Sequence, residues 1–256
     1  MINIFRNIRK KLADDNKPVK YMRYAIGEIV LVVIGILIAL SINNWNNKRI
    51  KKNNGLLLSN RLFIEIRKNK NELDEQIIRI TDLKKEAKSL LMLFGPDSEK
   101  INNRLLDSLI YGIISTPLYN ANSPTLDEAL NTGQVSIIPS DSLRALLYDI
   151  PKKVHGINNY EDEMTRDIEY NLMPYLYDNI SFRQMDEEFS GRFDVNERSN
   201  LSHFDNRKIL SERKFENMVD NKFFLLETLL MGYDDLHKVY DKTLQFFEAE
   251  ESTGRW

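Results

Sequence analysis

The chain has 256 residues, a formal net charge of −2, 42% hydrophobic and 29% charged residues, and no cysteine. That length allows one or two domains of ordinary globular composition, and the missing cysteine excludes disulfides, thiolate metal sites and a cysteine nucleophile. Residues 1–53 hold eleven Lys and Arg against three Asp and Glu, whereas residues 54–256 hold 25 against 35. An acidic remainder speaks against nucleic acid as a partner, because binding there draws on a basic face that releases counterions.

Residues 1–23 open with Ile2, Phe5, Ile8 and Leu12 at helical spacing, flanked by Arg6, Arg9, Lys10 and Lys11. This is the pattern of a basic amphipathic tail lying on a lipid surface, with a solvated tail as the alternative. Pro18 ends it.

Residues 24–45 read as a transmembrane helix. Ile29 to Leu40 carry no polar side chain, and Tyr24 to Ile42 contain one charge, Glu28. Those 19 residues span roughly 28 Å as a helix, close to the ~30 Å core of a bilayer. Tyr24 and Trp45 stand at the ends as interfacial anchors. A cleaved signal peptide competes, with Ala39-Leu40-Ser41 as its cleavage site. The long basic segment ahead of the core and the extension through Trp45 favour an uncleaved anchor. Seven Lys and Arg in the twenty residues before Tyr24, against five in the twenty after Trp45, lean towards a cytoplasmic N-terminus.

At 100° per residue, Gly35, Ala39 and Asn46 fall within about 20° of Glu28 around the helix, and Asn43 within about 60°. Small residues that allow close approach, beside polar ones that bond, suit a helix–helix contact in lipid. Glu28, Gly35, Ala39, Asn43 and Asn46 are therefore the expected membrane-helix interface. An incidental interfacial Glu is the alternative.

The run Y-x-x-G-E-I-x-L-V-x-x-G-I-L-I-A-L-x-I-N-N-W, here Tyr24 to Trp45, resembles the N-terminal signature of a family of uncharacterised single-span bacterial membrane proteins. A second likeness lies in Leu126, Leu130, Gly133, Ile137, Ile138, Leu143 and Leu147. The resemblance implies an N-terminal anchor and no known activity.

Residues 46–96 are expected to form a basic neck, Lys48 to Lys52, and a stalk helix continuing from the span. Leu58, Leu62, Ile66, Leu73, Ile77, Ile80, Ala87 and Leu91 give it an apolar face, and Gly95-Pro96 stops it. Residues 97–256 are expected to fold as an extracytoplasmic antiparallel helical bundle. Asp97 or Ser98 opens a helix to about Ile114, with Ile101, Leu105, Leu109 and Ile113 inward. Ser123-Pro124 opens a short helix closed by Thr132-Gly133. Val135, Ile137 and Ile138 read as an extended piece, with packing or a ligand groove at the Gly133 turn as its two uses. Further helices follow from Pro139-Ser140, over 155–178 with a bend or end near Pro174, and over 211–249. Residues 181–207 read as a loop.

The chemistry is sparse. His155, His203 and His237 lie in different elements, so no zinc pair forms. His237, with Asp234 and Asp241 a turn away, reads as a solvated face. So does the cluster Glu161, Asp162, Glu163, Asp167 and Glu169. No nucleophile elbow, Walker or dinucleotide motif is present, so neither an enzyme nor a cofactor or metal is expected. The all-α chain is read as a scaffold or interaction protein in the cytoplasmic membrane, N-terminus inside and C-terminal domain periplasmic. Its partners are the bilayer and either a second copy or another membrane protein. A subunit of an ion-driven complex with Glu28 as its intramembrane acid, and a periplasmic ligand-sensing bundle, are the alternatives.

Overall fold

The computed structural model describes residues 18–189 and 201–252, without the side chains of 18–21, 24, 187–189 and 250–252. Residues 1–17 of the expected amphipathic tail, and the side chain of the expected anchor Tyr24, lie outside these described residues. Among the described residues every regular element is helical and no strand occurs. The α-helices are α1 (Pro18–Leu91), α2 (Asn103–Ile114), α3 (Pro124–Asn131), α4 (Asp141–Asp167), α5 (Met173–Asn179), α6 (Phe182–Phe189) and α7 (Arg213–Ser252).

The chain divides into two compact units between Leu57 and Leu58. α1 is continuous over 74 residues. No proline interrupts it after Pro18, which sits at its first position where the missing N–H has no intrahelical partner. It stops where expected: Gly95 takes φ 131°, a backbone region that side chains disfavour, and Pro96 cannot continue a helix.

In the second unit the residues of α1 facing inward are Leu58, Leu62, Ile66, Leu73, Ile80, Ala87 and Leu90, all buried. Side-chain ties fix the directions of the three long helices. Arg67 meets Glu248, Lys70 meets Asp241 and Lys84 meets Glu227, so α7 runs antiparallel to this part of α1. Lys153 meets Asp235, and a methyl on Gly232 would touch Ile157, so α7 is antiparallel to α4 as well. Among the described residues α4 and α7 pack against each other extensively. Leu147, Ile157 and Met164 of α4 and Leu226, Leu229 and Leu236 of α7 are buried, like the α1 stripe. Each such side chain stabilises by about 1.5–3 kcal/mol relative to exposure.

Several local expectations are corrected. The helix expected from Asp97 or Ser98 begins at Asn103. A single 3₁₀ turn spans Ser98–Lys100, Ile101 is extended, and the Asn102 side chain caps α2 by accepting the Arg104 N–H. Leu109 and Ile113 face inward as expected, whereas Leu105 is exposed and Leu106 and Ile110 complete the buried face. The extended piece at Val135–Ile138 is a 3₁₀ turn, Gln134–Ile137, because Gly133 at φ 71° reverses the chain directly behind α3. The helices expected from Ser140 and over 155–178 are nearly one path. α4 tolerates Pro151 and passes through a π-helical turn, Ile168–Leu172, into α5. Pro174 has no N–H for the preceding turn, and the wider turn ahead of it accommodates that loss. The expected loop 181–207 contains α6 and leads into a 3₁₀ turn at Asn206–Ser211. Residues 190–200 of it lie outside the described residues.

Candidate functional site: an uncovered apolar segment and a buried polar centre

In the first unit, α1 carries an apolar stretch that is exposed among the described residues. Its most apolar 18-residue window has a mean hydropathy of 2.8 and is 0% buried. The large side chains from Ile29 to Leu40 are each 46–65% exposed, on every side of the helix. A helix of this kind inside a soluble core would be largely covered. This one is long and apolar enough to cross a membrane. Gly35, Ala39, Asn43 and Asn46 are exposed, and Glu28 is half-buried. A methyl group added at Gly35 would meet nothing within 4 Å. Trp45 is 63% exposed, and the Arg49 guanidinium lies 5.9 Å from its ring centre, within cation–π reach.

The second unit holds a polar centre in its core. Glu161 is only 5% exposed. Its Oε1 accepts the Tyr119 N–H at 2.9 Å and the Tyr233 hydroxyl at 2.6 Å. The hydroxyls of Tyr119 and Tyr240 share a 2.8 Å hydrogen bond, and the Tyr119 hydroxyl donates to the Asn69 carbonyl at 3.2 Å. Buried Asn69 holds the connecting segment in turn. Its Nδ2 donates to the Asn122 carbonyl and to Ser123 Oγ, while its Oδ1 accepts the Asn122 N–H. One turn earlier on α1, the two carboxylate oxygens of Glu65 accept the N–H groups of Thr125 and Leu126. Ser123, the expected cap of α3, makes no side-chain cap bond; a glutamate on another helix caps it instead, with its charge against the positive end of the helix dipole.

This corrects the reading of Glu161 as part of a solvated acidic face. Burial raises its pKa, opposed by the bonds from Tyr233 and Tyr119, with the neighbouring Asp162 adding to the rise. Burial also raises the pKa of Tyr119, Tyr233 and Tyr240, the last to about 12. The cluster therefore rests as neutral phenols around a carboxyl group held by two donors. It cross-links α1, the 115–123 segment, α4 and α7.

Lys222 on α7 is 1% exposed, and its Nζ donates to the Ser115 carbonyl at 2.8 Å, at the C-terminal end of α2. Burial lowers its pKa to about 7, with Asp167 acting in the opposite direction. The Nζ donor completes a helix end whose carbonyls lack intrahelical partners.

His237 has carboxylates on both sides, Asp241 as expected and Asp74 in place of Asp234. Nε2 lies 2.9 Å from Asp74 and Nδ1 3.3 Å from Asp241, and Asp234 takes no part. Lys70 pairs with the same two aspartates, so both carboxylates are engaged within the protein. Among the described residues no group of three or more His, Asp or Glu is arranged to hold a metal ion. A shallow groove of about 190 Å³ runs past Ser123, Asp127, Ile150, Pro151, Val154 and His155. It lies at the start of α3, not at the Gly133 turn that closes the helix.

Polar residues on apolar phases are the signal that a reading by composition misses. Asn69 follows Leu62 and Ile66, Glu161 stands between Ile157 and Met164, and Lys222 stands between Val219 and Leu226. Each occupies a core position of its helix.

Residues 28–167 match the model of a family described as a family of unknown function, DUF6090. No curated protein and no solved structure matches the chain.

Proposed function

Because the chain belongs to the DUF6090 family, which has no known function, its own residues must carry the reading, and we propose that it is a membrane-anchored helical scaffold or interaction protein. The observation that carries this is the 0% burial of the apolar segment of α1. Ten large apolar side chains left in water would each forgo about 1.5–3 kcal/mol, and a bilayer core of matching thickness removes that deficit.

In this reading Tyr24 to Trp45 cross the cytoplasmic membrane of a bacterium once, with the N-terminus inside. Tyr24 and Trp45 anchor the two interfaces. The helical second unit stands in the periplasm as an antiparallel bundle tied by the Glu161 centre. The charge asymmetry supports this orientation, since the basic excess is greater ahead of the span. The span self-associates, or meets another membrane protein, through Glu28, Gly35, Ala39, Asn43 and Asn46. The role is binding and not catalysis: the buried Glu161 and Lys222 are both taken up by ties within the protein.

Fractionation and reporter fusions test this reading. The protein should stay with membranes after alkaline extraction, and an alkaline phosphatase fused after Lys52 should be active. Recovery in the soluble fraction, or a mature chain starting at Ile42, would remove the anchor. A fusion active only in the cytoplasm would reverse the orientation.

A further inference from the structure

Four cations follow the apolar segment within five positions: Lys48, Arg49, Lys51 and Lys52. All four are exposed on α1. No Asp or Glu occurs between Glu28 and Glu65, and among the described residues no ion pair joins a carboxylate to any of the four. Elsewhere the helices place acids beside their cations at this spacing, as in Lys70–Asp74, Lys85–Asp82 and Lys238–Asp235. In the neck the pairs at three and four residues, Lys48–Lys51, Lys48–Lys52 and Arg49–Lys52, are all of like charge and destabilise the helix locally. An anion from outside the chain relieves this repulsion.

Resting on the membrane-anchored reading above, we infer that this neck is a binding surface for the headgroups of anionic phospholipids in the leaflet where the span ends. The occupant follows from position. Lys48 to Lys52 lie about 5–10 Å along the helix beyond Trp45, the depth of a headgroup layer. There they meet phosphates laterally around the helix. The Arg49–Trp45 contact places one cation against the ring that marks the interface. A basic cluster directly beside a span attracts anionic lipid, and the effect is screened by salt.

Trp45 reports on its own surroundings once the second tryptophan is removed, since the chain has two. The full-length chain carrying Trp256→Phe is reconstituted in vesicles of phosphatidylcholine with a minority of phosphatidylglycerol. The bromine quencher is placed on the acyl chains of one lipid or the other. Brominated phosphatidylglycerol is expected to quench Trp45 as if enriched about two- to five-fold over its bulk fraction. The enrichment should fall to unity at high salt, and also in the variant Lys48→Gln, Arg49→Gln, Lys51→Gln, Lys52→Gln. Quenching in proportion to bulk composition in the unmodified neck overturns the inference and leaves the span intact. Enrichment that survives the four substitutions also overturns it, because other groups then recruit the lipid. Absence of quenching by either lipid removes the span itself, and the inference with it.

Discussion

Lys222→Met should make the second unit more stable at neutral pH, with an advantage that disappears in alkali. The ammonium sits on the Ser115 carbonyl in a site that lowers its pKa from 10.5 to about 7 by burial. Below pH 7 both the folded and the unfolded chain carry the proton. The folded state then bears the full difference of 3.5 units, about 5 kcal/mol. Between pH 7 and 10.5 the folded lysine is neutral while the unfolded one is charged. Stability from this group therefore rises with pH across that window and is complete above it. Methionine keeps the apolar stem and has no charge, but it leaves the Ser115 carbonyl without its donor, at about 1–3 kcal/mol. The net gain at pH 6 is about 2–4 kcal/mol, or roughly 5–15 °C in melting temperature for a unit of this size. By pH 9.5 the remaining penalty is about 1 kcal/mol, and the variant should match or fall below the parent. The assay is thermal unfolding of the full chain in mild detergent, followed by near-ultraviolet circular dichroism, at pH 6 and pH 9.5. Equal destabilisation by Lys222→Met at both pH values would refute the reasoning: the ammonium would then stabilise the end of α2 outright.

Glu161→Gln should keep both acceptor bonds through its amide oxygen and leave stability within about 1 kcal/mol, whereas Glu161→Leu orphans the Tyr119 N–H and the Tyr233 hydroxyl and should destabilise by about 2–4 kcal/mol in the same melts. Because the folded pKa of Glu161 is raised, its favourable contribution is complete below the unfolded pKa of 4.5 and is lost as pH rises through the folded value; Glu161→Gln should abolish that slope. Glu65→Ala uncaps α3 by freeing the Thr125 and Leu126 N–H groups, with an expected loss of about 1–2 kcal/mol in urea unfolding. In a two-hybrid assay for membrane helices, Gly35→Leu should strongly weaken self-association of the span, Glu28→Gln should weaken it mildly, and Leu31→Ala should have no effect. Association indifferent to Gly35→Leu would sink the interface.

The apolar segment of α1, the stops at Gly95-Pro96 and Gly133, and the phases of Leu62, Ile66 and Leu73 were legible in the sequence because each depends on neighbours within a few turns. Hydropathy over twenty residues, a left-handed glycine and a 3.6-residue period are local properties, and the family match beginning at Glu28 covers the same stretch. The misplacements were local as well. The onset of α2 hung on the extended Ile101, and the passage ahead of Pro174 on a π-helical turn.

The polar centre depended on distance along the chain. Glu161 meets Tyr233 across 72 residues, Tyr119 meets Tyr240 across 121, and Lys222 meets Ser115 across 107. Asp162 and Glu163, beside Glu161, are exposed, so composition placed all three on one solvated face. Sequence sets the phase of each side chain on its helix. Only the tertiary packing decides whether a carboxylate on that phase meets water or two hydroxyl and amide donors, because desolvation is tolerated only where partners from other helices arrive to replace the lost water.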